Sequence, residues 1–235
     1  MKKADIKTGF LCNNNCLFCV QGDQKKALGN KSVFEIKDLI KEASQDCGII
    51  VFTGGEVTIR NDLIELVRYA SGFGFQTIQI QSNGRAFVYP DLCRDIIQAG
   101  ANEFALALHG HIPQLHNFLT QTESFHQTVQ GIRNLKNLGQ KVLMNTVITK
   151  SNYRHLPDIT KLLISLEVDH IQFAFVHALG SAALHFDRVV PRMKLAAPYV
   201  IKSLDIAKHF GKEMVTEAIP YCMLPGYEYC IAEDS

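Results

Sequence analysis

Six times along this 235-residue chain a short β-like run gives way to a helix-like run, and that alternation constrains the fold more than any other feature. Residues 5–11 lead to a helical stretch near 32–45, opened by Ser32 with Glu35 three positions on as a capping box. Residues 48–53 form a continuous apolar strand. The helix after it is capped at Asn61 and carries Leu63, Leu66, Val67 and Ala70 at helical spacing. Residues 75–82 precede a helix that Pro90 starts and Gly100 stops. Residues 102–108 precede a helix over 124–138 ended by Gly139. Residues 141–148 precede the helical series Leu156, Ile159, Leu163 and Leu166, and residues 170–176 precede a helix from near Pro191 to about Phe210.

Such alternation calls for right-handed crossovers, hence a parallel sheet with helices outside it. Six units form either a partial barrel or an open doubly wound sheet, and strand parity helps to separate them. With Ile78 and Ile80 toward the helices, Thr77, Gln79 and Gln81 face the other way. Phe104, Leu106 and Leu108 likewise oppose Ala105, Ala107 and His109, and Ile171, Phe173 and Phe175 oppose Gln172 and Ala174. A closed eight-stranded barrel fills its interior with bulky branched side chains. Polar and small ones suit a lumen that holds a ligand, and a packed core with a few buried amides is the plainer alternative. The expectation is an α/β fold: a partial (β/α)6 TIM-like barrel with parallel strands over residues 1–210 and a short C-terminal extension over 211–235. The extension holds one more β-like run, Glu213 to Ile219, and a tail.

Charge excludes little but weighs against polyanions: 24 basic residues balance 23 acidic ones, so no nucleic-acid footprint is expected. The opening MKKADIKTGF has no apolar stretch after its lysines, and no apolar run reaches the roughly 20 residues of a membrane span. Seven cysteines without an export signal suit a reducing, cytoplasmic setting and metal or catalytic work rather than disulfides.

Three of them, Cys12, Cys16 and Cys19, fall within the eight residues CNNNCLFC, directly after the first strand. That is a βα loop at a strand's carboxyl end, where α/β barrels keep their chemistry. Thiolates are the usual ligands of iron–sulfur clusters, and a four-iron cube held by three of them keeps one iron open. Structural zinc usually wants four protein ligands, and the next cysteine is Cys47. The spacing favours a [4Fe-4S] cluster, with zinc and inert thiols as the alternatives. After the second strand, Gly54 and Gly55 let backbone approach a neighbour closely and Glu56 offers a carboxylate suited to an ammonium group. A plain turn before a helix is the bland reading.

The C-x3-C-x2-C pattern with Phe18 before its last cysteine resembles the signature of the radical S-adenosylmethionine (radical SAM) superfamily. GGE at 54–56, SNG at 82–84 and LHG at 108–110 extend the likeness, which covers roughly residues 5–180. GGEVTIRNDLIELV is similar to the family's GGEPTLR-type stretch, with Val57 in place of the common proline. The resemblance implies a cluster on Cys12, Cys16 and Cys19, with the methionine amino and carboxylate groups of S-adenosyl-L-methionine on the open iron. It implies reductive cleavage of that cofactor and hydrogen abstraction from a peptide or small metabolite by the 5′-deoxyadenosyl radical. An external one-electron donor of the flavodoxin or ferredoxin kind is implied too. Phe18, Gly54, Gly55, Glu56, Ser82, Asn83, His109 and Asn145 form the expected cofactor-binding set. For Ser82 and Asn83 an Asn-Gly turn is the alternative. Asn145 is an amide among apolar neighbours that a bound cofactor would partner, and His109 is open to a cofactor or a substrate contact.

The chain departs from the family's peptide-maturing members. Ala107 and His109 stand where a serine and an acidic residue are common, and Leu119 and Thr120 where an arginine is. His111 and His116 read as exposed loop histidines rather than ligands of a second metal. Cys222 and Cys230 are either part of an auxiliary cluster or ordinary thiols, and Cys47 and Cys93 read as structural. A glycyl-radical activase and a non-catalytic cysteine-bound metal module are the competing functions.

Overall fold

The structure, a computed structural model, describes residues 1–22 and 24–232. Its strands are β1 (Lys3–Lys7), β2 (Ile49–Thr53), β3 (Thr77–Ser82), β4 (Glu103–Ala107), β5 (Lys141–Ile148), β6 (His170–Phe175) and β7 (Glu213–Glu217). The helices are α1 (Gln24–Ala27), α2 (Val33–Ala43), α3 (Leu63–Ser71), α4 (Pro90–Ala99), α5 (Pro113–Thr120) and α6 (Phe125–Asn137). After them come α7 (Leu156–Ser165), the single turns α8 (Ser181–Leu184) and α9 (Phe186–Val189), and α10 (Met193–His209). The strands lie in chain order in one sheet. The pairs along β1–β2–β3–β4 and along β5–β6–β7 are parallel. The sheet is not closed, the arrangement a partial barrel requires.

The chain divides into two compact units. The first comprises Met1–Asn13, Gln24–Leu106 and Gln127–Val142. Ile36 and Ile40 of α2, Leu66 and Val67 of α3 and Ile96 of α4 are fully buried, as are Ile50, Phe52, Ile80 and Phe104 of the strands. Ser32 and Glu35 form the capping box that starts α2, and Pro90 opens α4. The other strand face carries polar side chains at Thr53, Gln79, Gln81 and Glu103. Thr53 donates to Gln81 at 2.6 Å, and Gln79 donates to Glu103, which Lys141 also pairs at 2.6 Å. This is the alternation that the parity of β3 and β4 requires.

The second unit comprises Asn14–Asp23, Ala107–His126 and Leu143–Ser235. Ile159 and Leu163 of α7, Val200 of α10, and Ile171 and Phe173 of β6 are fully buried there. On the opposite face of β6, Gln172 donates to Glu217 of β7.

Several details refine the sequence expectation, and β1 ends at Lys7 rather than near residue 11. The residue capping α3 is Asp62, not Asn61; the Asp62 carboxylate is instead paired with Arg60 at 2.7 Å. Helix α5 has only eight residues and one weak stripe, too short for periodicity to reveal. The expected run from Glu213 is a strand, shorter than the stretch to Ile219, and as Glu213–Glu217 it pairs with β6 as a seventh strand. Its alternating burial matches the polar-and-apolar pattern of the strands before it.

Candidate cofactor site

Within the first unit, the turn after β2 is built around close backbone contact. A Cβ at Gly55 would sit 2.2 Å from the Leu11 carbonyl oxygen and 2.5 Å from that of Phe10. At Gly54, whose φ is +148°, it would meet the Gly9 carbonyl at 2.5 Å. The closeness lets Gly55 N–H donate to Gly9 O at 2.9 Å and Glu56 N–H to Leu11 O at 2.8 Å. The two glycines therefore fasten this turn to the backbone that runs straight into Cys12.

The Glu56 side chain is only 3% exposed. Its Oε1 accepts from Thr58 N at 3.0 Å, Thr58 Oγ1 at 2.5 Å and Ser82 Oγ at 2.7 Å. Its Oε2 accepts from Asn83 N at 2.6 Å. GGE and SNG are thus brought together, with the carboxylate as the tie between the ends of β2 and β3. Gly84 takes φ +82°, which makes the Asn-Gly turn of the bland reading real. The turn also presents Asn83, whose Nδ2 donates to Asn13 Oδ1 at 2.7 Å. Arg85 donates to the Asn13 carbonyl at 2.7 Å and to Gln127 at 2.7 Å. Sequence reasoning passed over Asn13 and Arg85. The only signal was an arginine directly after SNG.

Within the second unit, Cys16 and Cys19 sit on a seated loop. Asn15 N–H and Leu17 N–H donate to Thr120 O and Leu119 O, both at 3.0 Å. Cys19 O accepts from Ser181 N at 2.9 Å. Phe18 is buried with Leu119, Val176, Ala182 and Val189, an anchor worth about 1.5–3 kcal/mol of burial. Leu119 and Thr120 thus hold the cysteine loop. The Phe18 ring also meets the edge of the His109 ring at 4.6 Å between centroids.

His109 is 4% exposed and His116 only 1%, so the expectation of an exposed His116 is corrected. Helix α5, invisible to the periodicity, turns His116 inward. His116 Nδ1 accepts the His109 N–H at 3.1 Å, and His109 Nδ1 accepts the Val147 N–H at 3.2 Å. Each neutral ring therefore carries its proton on Nε2. Burial holds both rings neutral, pushing His109 well below the usual imidazole range and His116 down to about 4. Asn152 ties the region together, donating to His109 O at 3.0 Å and Val147 O at 2.9 Å while accepting from Thr149 N at 2.7 Å. Asn145 Oδ1 is buried and, among the described residues, accepts no hydrogen bond. Such an orphaned acceptor fits a donor brought by a ligand.

The remaining cysteines differ in kind. Cys93 is buried, its thiol donates to Phe87 O at 3.3 Å, and burial pushes its pKa to about 11. Cys230 is buried and Cys222 exposed, so the two tail thiols have unlike surroundings. The donor set that suits a cluster is the soft thiolate trio of residues 12, 16 and 19.

The family model of the Radical SAM superfamily matches residues 6–163, which span the cysteine loop, GGE, SNG and the His109 loop. The chain belongs to that superfamily. Among curated relatives, a probable GTP 3′,8-cyclase of Saccharolobus islandicus (strain M.14.25 / Kamchatka #1) is 27% identical over 187 residues, 77% of this chain and 59% of the relative. An AdoMet-dependent heme synthase of Oleidesulfovibrio alaskensis is 31% identical over 189 residues, 79% of this chain and 45% of the relative. The chain thus spans about three fifths or less of these relatives' length. In fold it is similar to Streptococcus suis SuiB bound to S-adenosylmethionine, with a TM-score of 0.73 at 14% identity over 91% of this chain and 49% of that one. Among the described residues no helix is long and apolar enough to cross a membrane.

Proposed function

We propose that this chain is the core of a radical SAM enzyme in which Cys12, Cys16 and Cys19 hold a [4Fe-4S] cluster and the ends of β2 to β5 bind S-adenosyl-L-methionine. The observation that carries this reading is the family match over residues 6–163, which takes in all three thiols and the Glu56 tie. When bound, the two groups supply one-electron cleavage of a sulfonium and abstraction of a hydrogen atom from the substrate.

Glu56 holds the ends of β2 and β3 in register, and its carboxylate would hold the cofactor's ammonium group. Asn145 Oδ1 accepts a hydrogen bond from the cofactor, and Ser82 and Asn83 fix the turn beside it. His109, locked neutral with its proton on Nε2, serves as a hydrogen-bond donor rather than a proton acceptor. Phe18 excludes water from the loop, and Arg85, held on Asn13, places a cation beside the residue that follows Cys12. The substrate is a small metabolite or a peptide, and the electron comes from an external flavodoxin- or ferredoxin-like donor. Relatives named for GTP and heme chemistry support the small-molecule arm. SuiB bound to its precursor peptide SuiA supports the other. The test is dithionite-dependent formation of 5′-deoxyadenosine by the anaerobically reconstituted chain. Product above the level of a Cys16→Ala chain supports the reading, and equal traces from both refute it.

A further inference from the structure

The described residues contain one constellation of metal-ligand type. The donor atoms of His111, His155 and Asp158 all lie within 4.8 Å of one another. The fold builds this cluster from two neighbouring strand ends. His111 lies in the loop after β4, two residues beyond His109. His155 closes the 3-10 turn Tyr153–His155 after β5 and is the residue before α7, and Asp158 lies in the first turn of that helix. The three-residue spacing puts His155 and Asp158 on the same side of the helix start.

Two further observations point to a ligand. The Nδ1 of His111 is buried and, among the described residues, has no hydrogen-bond partner. The His111 and His155 rings are direct neighbours, with centroids 5.2 Å apart and 29° between their planes, and their donor nitrogens lie within 4.8 Å of each other. The support beneath them is firm. Asn152 donates to His109 O and accepts from Thr149, which fixes the turn bearing His155 against the loop bearing His111. Among the described residues the carboxylate of Asp158 pairs with Lys161 at 3.6 Å, an exposed pair of little strength.

From this placement we infer that His111, His155 and Asp158 bind a divalent transition-metal ion of the zinc or cobalt class, separate from the cysteine trio. Two imidazoles and a carboxylate are a common three-ligand set for such ions, leaving the remaining position to water. Magnesium and calcium prefer all-oxygen shells and are not expected. Ligand atoms about 2.0–2.2 Å from a shared ion lie within about 4.4 Å of one another, a spacing compatible with the 4.8 Å bound on these three donors. The ion would pin the loop after β4 to the start of α7 and so stiffen the segment that carries His109.

The test is cobalt binding to the cluster-reconstituted protein after passage over a chelating resin. The expected result is about one Co(II) equivalent with the d–d spectrum of a nitrogen- and oxygen-ligated ion and no thiolate charge-transfer bands. His111→Ala, His155→Ala and Asp158→Asn should each weaken it by about tenfold or more, the factor that even an outer-shell partner is worth, with iron content unchanged. Asp158→Asn alters an exposed first-turn residue and guards against a merely misfolded histidine variant. Thiolate-type cobalt spectra alone, absence of binding at millimolar cobalt, or affinity unchanged by all three substitutions would overturn the site. Because the thiolate bands report the cysteine loop separately, a failed cluster reconstitution is told apart from a failed histidine site.

Discussion

The Glu56 carboxylate accepts a 2.7 Å hydrogen bond from the Ser82 hydroxyl, and through it the turn after β2 is tied to the end of β3 in a buried position. The same carboxylate satisfies Thr58 and the Asn83 N–H. Buried donors left without an acceptor cost more than the bond they lose. Glu56→Ala should therefore destabilise the chain by about 2–4 kcal/mol in urea unfolding, and Ser82→Ala by about 1 kcal/mol. In the loaded protein Glu56→Ala should also weaken S-adenosylmethionine binding by roughly ten- to a hundredfold. Stability equal to wild type in both variants contradicts the tie.

Gly55 has no room for a side chain, because the atoms a Cβ would strike are backbone oxygens that no rotamer change can move. Gly55→Ala should cost about 2 kcal/mol or more and lower cluster loading, since the displaced strand leads into Cys12. Gly74, against which a Cβ meets nothing within 4 Å, has φ +75° and serves as a comparison where strain acts without a clash. Gly74→Ala should be destabilised with cluster loading intact. Equal loading in the two variants would show that the close approach at Gly55 does not matter.

Acid should weaken the fold through the buried histidine pair. Below pH 6.5 the unfolded chain takes up protons on His109 and His116 that the folded chain refuses, so stability is present above that pH and falls as pH drops. For His116 the fall continues to about pH 4, at about 1.4 kcal/mol per pH unit. His116→Gln keeps an acceptor for the His109 N–H and removes one of the two titrations. Its loss of stability between about pH 6.5 and 5 should be roughly half that of wild type, and a loss equal to wild type would contradict this account.

Much of the fold was legible because local and global signals agree. The Ser32–Glu35 box, the Pro90 start and the Gly100 stop each mark a helix that also carries a regular apolar stripe. Strand parity gave the polar face on which Gln79 meets Glu103. The cysteine loop and GGE were legible as motifs. The tie from Glu56 to Ser82 and Asn83 was not, since it joins residues 26 and 27 positions apart and depends on side-chain geometry. His116 was misjudged for a related reason: α5 is short and its capping residue, Ile112, makes no side-chain cap. The convergence of His111 with His155 and Asp158 joins two strand ends more than forty residues apart, a proximity no spacing rule shows.

The most direct test of the central claim is iron and sulfide content, with electron paramagnetic resonance of the reduced state, in anaerobically reconstituted chains. Cys12→Ala, Cys16→Ala and Cys19→Ala should each lose the four-iron signal, while Cys47→Ser keeps it in full, since the three clustered thiolates are the proposed ligands. A complete [4Fe-4S] signal in Cys16→Ala, or a wild-type chain that takes up stoichiometric zinc and no iron, would contradict the assignment.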